Sequence, residues 1–514
     1  MAREIELKLL VSPEHFKALR AGVRSLLPRG ARLATQRLVS HYFDSPDFFL
    51  CNTGIALRVR KVGRRWIQTL KSGGVVQAGL HSRDEWESPV PGPQPDLARL
   101  VAAHPADAAL RTAAGRVASL PVLHHIFVTD LRRSAVTVEH DDTAVEIALD
   151  QGVITAGEHS VAVCEAELEL KKGKLDALFH FARLLRQSAP LRVERASKAE
   201  RGYALLTKAG APAPAKAKPV QLHAGMNVEE AFATCFAACV THLQDNELGF
   251  QGAPEAEYVH QMRVAIRRLR ALFGLTKGVA PETVLAPVNA ELKWLAGALG
   301  PARDWYVCLH ETLPPLLEAV DRQRLAALEQ RAGMALEESL RAASSAVQSE
   351  RYTDLMLSLA EFGASRAWRA ENQELFLEPI ESFAGRLLRR RHRQLLKRGS
   401  GLKEAQPRTL HALRIAAKKL RYGLEFFMSV LPEKRARPVQ SALAELQDLL
   451  GSLNDAAVAE AMIAGLCSDD LSAGMQYAAG MAHGWIIARR EGRLAALDKA
   501  WARFVRLRPP LRKS

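Results

Sequence analysis

Glu4, Glu6 and Lys8 alternate with Ile5, Leu7 and Leu9 in the segment EIELKLL. Period-two alternation puts the charged side chains on one face of a strand and the apolar ones on the other. Two carboxylates one residue apart on the same face repel each other unless positive charge lies between them. The pattern returns in CEAELELKK, where Glu165, Glu167 and Glu169 share a face. Arg58 and Arg60 share a face in ALRVRKV, and Glu85 and Glu87 share one in SRDEWES. Any one of these stretches could be a solvated sheet face. Several in one small domain fit better inside a closed barrel, where acidic and basic strands satisfy each other. Such a lumen requires a polar occupant. Clustered carboxylates suit Mg²⁺ or Mn²⁺, hard cations that take oxygen ligands. Arg and Lys on facing strands suit phosphate oxygens. The two sets together describe a metal–polyphosphate site.

A second constellation lies in the other half. HQMRVAIRRLRALF starts at His260 and HALRIAAKKLRYGLEFF at His411. At 100° per residue, His260, Arg263, Arg267 and Arg270 fall in one arc of a helix, opposite Met262, Ala265, Ile266, Leu269 and Phe273. His411, Arg414, Lys418 and Arg421 project in the same way, with Lys419 beside them where the first segment has Arg268. One basic stripe is usually a solvated helix face; two at identical spacing point to a built patch for a polyanion. Metal is disfavoured there, because the arginines repel a cation. Nucleic acid is also disfavoured, because few aromatic residues interleave the basic arc.

These residues need two kinds of scaffold. Before residue 208 the sequence reads as short alternating strands joined by turns, an antiparallel sheet or barrel. KAGAPAPAKAKPVQ, residues 208–221, is Pro/Ala/Lys-rich and reads as a linker and the domain boundary. After it come long Ala/Leu/Arg-rich helices. There the spacing from His260 to His411, 411 − 260 = 151, equals that from Gly300 to Gly451, 451 − 300 = 151. A duplicated helical unit follows, with repeats over about 226–370 and 375–505. The expected organisation is therefore α+β and multidomain: a domain over 1–207, a linker over 208–222 and an all-α domain over 223–505.

The totals agree. A chain of 514 residues exceeds one core. The net charge of +15 implies polyanionic partners. A charged first strand does not resemble a signal peptide, and no uncharged apolar run is long enough to span a membrane. The expected compartment is the cytoplasm, with association with polyphosphate granules as a further expectation. The cysteines form no CxxC pair, and Cys235 and Cys239, one turn apart with His242, read as buried thiols.

Glu4-Ile5-Glu6-Leu7-Lys8 resembles the ExExK signature of the CYTH superfamily, the triphosphate tunnel metalloenzymes. The likeness continues in order through YFDSPDFFL, GIALRVR, QTLK, RDEWE, TDLRRS, EIALDQGVI, CEAELEL and SKAERGY, as far as about Leu206. It implies an eight-stranded antiparallel β-tunnel that hydrolyses inorganic triphosphate with Mg²⁺ or Mn²⁺. Residue by residue, it implies Glu4, Glu6, Asp150, Glu165 and Glu167 as metal ligands. Lys8, Arg58, Arg60, Lys71, Arg133 and Lys198 are the implied phosphate grips, with Arg201 also at the substrate; Tyr42 reads as packing. The two helices from His260 and His411 resemble the CHAD domain, which implies binding of long-chain polyphosphate. The alternatives are a polyphosphate-binding protein without catalysis, or a tunnel enzyme acting on ATP or thiamine triphosphate.

Overall fold

The computed structural model describes residues 3–27, 32–120, 122–207, 212–276, 280–369, 373–400, 402, 406–469 and 472–509. The chain divides into two compact units, Met1–Gly210 with Glu350–Ser365, and Ala211–Ser349 with Arg366–Ser514.

In the first unit eight antiparallel strands close into a barrel: β1 (Arg3–Val11), β2 (Ala34–Asp44), β3 (Ile55–Val62), β4 (Arg65–Gln77), β5 (Leu80–Val90), β6 (His124–His140), β7 (Thr143–Ala156) and β8 (His159–Lys172). Their order is β5-β4-β3-β2-β6-β7-β8-β1, and β1 closes the ring on β5 with Glu4 opposite Arg83. A short β9 (Leu191–Val193) adds to β1 beyond that closure, pairing Leu9 with Val193. Closure leaves no open edge along the main sheet.

Alternation along each strand is satisfied on both faces. Leu57, Val59, Leu70, Trp86 and Val90 pack outward against Leu100 of the helix Leu97–Ala103 and Leu110, Ala114 and Val117 of the helix Ala108–Ala118. One end of the lumen is filled by Tyr42, Phe127, Leu131, Ile154 and Val163, packed on Ala199 and Tyr203 of the helix Lys198–Leu206. Gly202 permits that packing, since a Cβ there would meet the Phe127 ring at 2.4 Å. A capping box of Ser197 and Glu200 fixes where this helix begins.

The helix Glu350–Ser365 belongs to this unit although it lies deep in the helical half of the sequence. Thr353 donates to the Leu191 carbonyl of β9 at 2.7 Å, and Arg186 pairs with Glu350 at 2.8 Å and Asp354 at 2.7 Å. Arg183 pairs with Glu361. The sequence reading put these residues in the first helical repeat. Periodicity shows that a segment is a helix; it does not say which core receives it.

The second unit is helical among its described residues. Its principal helices are Val228–Gly252, Ala256–Leu275, Glu282–Ala298, Ala326–Val347, Ile380–Gly399, Pro407–Phe427, Glu433–Asp469 and Ala473–Val505. Residues 208–211 of the expected linker lie outside the described residues. The rest of that segment is not a free tether: Pro212 accepts from the Tyr258 hydroxyl at 2.8 Å, Ala215 is held by Asn246 and His242, and Val220 and Leu222 are buried. A Pro/Ala/Lys composition excludes a helix or strand, yet still allows an extended strap on a helical surface. Cys235 and Cys239 are free and fully buried. The span Glu433–Ser468 reaches a mean hydropathy of 1.3 over an 18-residue window, long and apolar enough to cross a membrane by composition alone. Of that window 22% is buried, and Leu443, Leu446, Leu450, Ala459 and Ile463 are among the helix's buried residues.

Candidate functional site

β1 supplies Glu4, Glu6 and Lys8 to the lumen, β3 Arg58 and Arg60, β4 Lys71, β6 Arg133, and β8 Glu167 and Glu169; Lys198 enters from the capping helix. Tyr42 lines the same cavity while stacking on Phe127, with ring centroids 4.4 Å apart, so it is both core and wall. Arg83 and Glu146 also line it. Sequence reasoning passed over both. Glu146 lies two strand positions before Ala148 and four before Asp150, so the period-two rule applied to AVEIALD could have found it.

The five expected metal ligands separate into two groups. Glu4 and Glu6 each lie beside an ammonium, Lys71 Nζ at 2.5 Å and Lys8 Nζ at 2.7 Å. Asp150, Glu165 and Glu167 have carboxylate oxygens within 4.8 Å of one another, a set of hard donors that fits Mg²⁺ or Mn²⁺. Lys198 Nζ lies 2.7 Å from Asp150, 2.8 Å from Glu167 and beside Glu165. Arg133 bridges Asp150 and Glu167. Asp150 and Glu165 are almost fully buried behind these cations rather than on the cavity wall. Arg201 is likewise off the wall: it donates to Glu165 at 2.9 Å and to the Ala162 carbonyl, and so positions the carboxylate instead of facing substrate.

The titration directions follow from these contacts. Burial, with Glu6 and Glu85 nearby, pushes Glu4 up to about 8 despite Lys71. Burial would also raise Asp150, but Lys198 and Arg133 hold it down at about 2. Glu167 is held well below the usual range against burial by Lys198, Lys8 and Arg133. Burial and the neighbouring Arg58 and Arg133 lower Arg60 to about 10. Arg60 donates to the Ser40 hydroxyl at 3.0 Å rather than to a carboxylate. Arg58 pairs with Glu85, Arg133 with Asp150 and Glu167, and Lys71 with Glu4 and Glu85, so the two signs interleave around the lumen. Such a lining offers donors to an anion and oxygen ligands to a cation side by side.

In the helical unit the two expected stripes meet in part. Arg267 reaches the Tyr422 hydroxyl at 3.4 Å, and Arg414 and Lys418 feel its charge. Arg263 donates to the Ala296 carbonyl at 2.9 Å and lies 3.9 Å from Asp304. Arg421 donates to Gln447. Arg270 is exposed and turned to Asn289, and His411 and Lys419 are exposed. His260 is half-buried, and burial with the Arg303 charge lowers it to about 4. Burial, Arg414 and Arg267 lower Lys418 to about 7.

A family profile described as CYTH domain matches residues 2–203, and one described as CHAD domain matches residues 234–464. The chain is a CYTH–CHAD domain protein. An inorganic triphosphatase of Haemophilus influenzae is 36% identical over 213 residues, which take in 40% of this chain and 56% of that protein. This chain therefore spans little more than half the length of that relative. The crystal structure of the CHAD domain from the plant Ricinus communis is 33% identical and superposes with a TM-score of 0.52, covering 58% of this chain and 98% of that one. The CYTH match takes in all eight barrel strands. The CHAD match encloses Glu350–Ser365, the helix that packs in the CYTH unit.

Proposed function

We propose that this CYTH–CHAD protein hydrolyses inorganic triphosphate to diphosphate and phosphate in the tunnel, with Mg²⁺ or Mn²⁺, and binds long-chain polyphosphate on the CHAD unit. One observation carries the tunnel reading: a closed lumen lined by interleaved carboxylates, guanidinium groups and ammonium groups. Glu4, Glu6, Asp150, Glu165 and Glu167 would hold the metal. When bound, it supplies Lewis acidity and a water of lowered pKa.

The chain's own residues do the rest. Arg58, Arg60 and Arg133 offer planar guanidinium forks to phosphate oxygens, which they grip in two-point contacts. Lys8, against Glu6 and Glu167, and Lys71, against Glu4 and Glu85, would balance negative charge on a departing diphosphate. Glu6, Lys8, Glu167 and Lys198 are buried, so their pairings are stronger than at the surface. A triphosphate brings a charge that the internally paired walls do not leave room for unless cations enter with it.

Steady-state release of phosphate from triphosphate, with Mg²⁺, with Mn²⁺ and with chelator, tests the reading. Turnover that survives complete chelation would sink it, as would a preference for ATP or thiamine triphosphate over triphosphate. For the CHAD unit the support is the meeting of Arg267, Arg414 and Lys418. The test is a salt titration of polyphosphate binding, in which counterion release predicts a steep loss of affinity with salt.

A further inference from the structure

The two CHAD repeats differ where their symmetry would make them match. Trp305 and Tyr306 of the first repeat correspond to Ala456 and Ala457 of the second, since 456 − 305 = 151 and 457 − 306 = 151. Trp305 packs on a core that includes Ile463 and Ile486, and Tyr306 lies 4.5 Å from His310 and 5.4 Å from Arg303. In the second repeat both rings are absent, and Arg303 is replaced by Asn454. A groove opens there, walled by the helices Pro407–Phe427, Glu433–Asp469 and Ala473–Val505.

The groove is polarised along its length. Arg493 donates to the Ser452 carbonyl and His483 lies 3.0 Å from Glu460, so the last two helices run antiparallel with 493 near 452 and 483 near 460. That register places Arg490 and Arg493 toward the Asn454 end, where Arg414 and Arg493 also feel the Asp455 charge. The other end is floored by Ala457, Ile486 and Ile487, with Ile487 left 50% exposed and Glu460, paired with His483, beside it. Arg414 Nε is buried without a hydrogen-bond partner. A ligand that completes the groove needs an anionic end for the arginines and a flat apolar body over exposed Ala457, where the first repeat carries Tyr306.

We propose that this groove binds a nucleoside polyphosphate, phosphates on Arg414, Arg490 and Arg493 and base on the Ala457–Ile487 floor. Inorganic phosphate chains share the anionic end but gain nothing from the floor. The groove is distinct from the tunnel, and the proposal stands whether or not the tunnel reading does.

The test is photolabelling of the full-length protein with 8-azido-ATP in chelator, followed by peptide mapping. Label should fall on peptides from 450–493, and ATP should suppress it at least about tenfold more effectively than inorganic triphosphate, which shares the anionic end but lacks the base. Long polyphosphate is no comparator, because it shares Arg414 in the proposed CHAD patch. Arg490→Glu removes a charge-assisted phosphate contact and should weaken labelling about tenfold or more. Ala457→Tyr, which restores the first-repeat residue at an exposed helix position, should do the same by filling the floor. Neither should change triphosphate hydrolysis, and melting curves check that both variants fold. Label confined to tunnel peptides overturns the proposal, as does equal competition by inorganic triphosphate. So does wild-type labelling of both variants.

Discussion

Lys198→Met tests whether the carboxylate cluster is built around one cation or can exchange it. Lys198 is 7% exposed and its ammonium touches Asp150, Glu165 and Glu167. Methionine keeps the stem and removes the charge. Arg133, Lys8 and Arg201 still reach these carboxylates, so the loss is one partner among several. Removing one member of a buried ion pair typically costs about 3–5 kcal/mol. At roughly 2–4 °C per kcal/mol for a unit of this size, the melting temperature in chelator should fall by about 6–20 °C at neutral pH. The sign of the pH dependence is fixed. Asp150 and Glu167 are held below their unfolded values, so their contribution is present above the unfolded pKa near 4 and fades as pH falls through the folded values. The wild-type advantage should therefore be full above about pH 5 and vanish in acid. Three hard carboxylates without their ammonium should then take Mg²⁺ or Mn²⁺ in its place, and added metal should restore more of the variant's melting temperature than the wild type gains. The assay is differential scanning fluorimetry across pH, with and without metal. A variant that melts with the wild type in chelator, or that metal does not rescue, would refute the cluster as a cation site.

Glu6→Gln should abolish most triphosphatase turnover while leaving the fold intact, because Gln keeps the shape next to Lys8 but loses the charge; near wild-type turnover at saturating metal would contradict the tunnel assignment. A fragment ending at Gly210 lacks Glu350–Ser365 and leaves the Leu191 carbonyl without Thr353. It should melt below the full chain and regain stability when residues 350–365 are fused back through a flexible linker; equal melting of both would show the helix to be dispensable. Polyphosphate affinity should fall as pH rises from 6 to 8.5, because burial places the Lys418 ammonium near 7 and it is charged only below that value. Lys418→Arg should flatten the profile. Between pH 5 and 8 His260 should contribute no titration, since burial lowers it to about 4, and His260→Asn should leave the profile unchanged.

The barrel was readable because alternation in a strand is a local property. Leu57, Arg58, Val59 and Arg60 announce two different faces without reference to any other segment. Which face pairs with which is not local. Glu4 meets Lys71 across 67 positions and Lys198 meets Asp150 across 48, and only the closure of β1 on β5 and the capping by Lys198–Leu206 bring them together. Spacing therefore located the charged residues but not the ion pairs that join them, such as Lys8 between Glu6 and Glu167. The same limit explains Arg201, which shares a helix with Lys198 yet, three residues on, points at Glu165 from outside the cavity. It also explains Glu350–Ser365, whose periodic apolar residues fit either core.

The lumen's own pairing bears on why a metal would be required at all. On the cavity wall Glu4, Glu6, Glu146, Glu167 and Glu169 face Lys8, Arg58, Arg60, Lys71, Arg83, Arg133 and Lys198, and six of those seven cations are already paired with carboxylates, Arg60 donating to Ser40 instead. A polyanion entering the tunnel therefore meets cations that are engaged rather than free. Here the anion must displace carboxylates from their partners, which is costly in a water-poor interior unless the released carboxylates find new cations. Under the proposed function, triphosphate would take the guanidinium groups and the carboxylates so released would hold the divalent metal. Binding of triphosphate and metal should accordingly be strongly cooperative. Each should tighten the other by the same factor. Titration calorimetry of triphosphate onto the protein, in chelator and with a non-hydrolysable triphosphate analogue and Mg²⁺, measures that factor. Equal affinity in both conditions would mean the arginines hold the anion unaided.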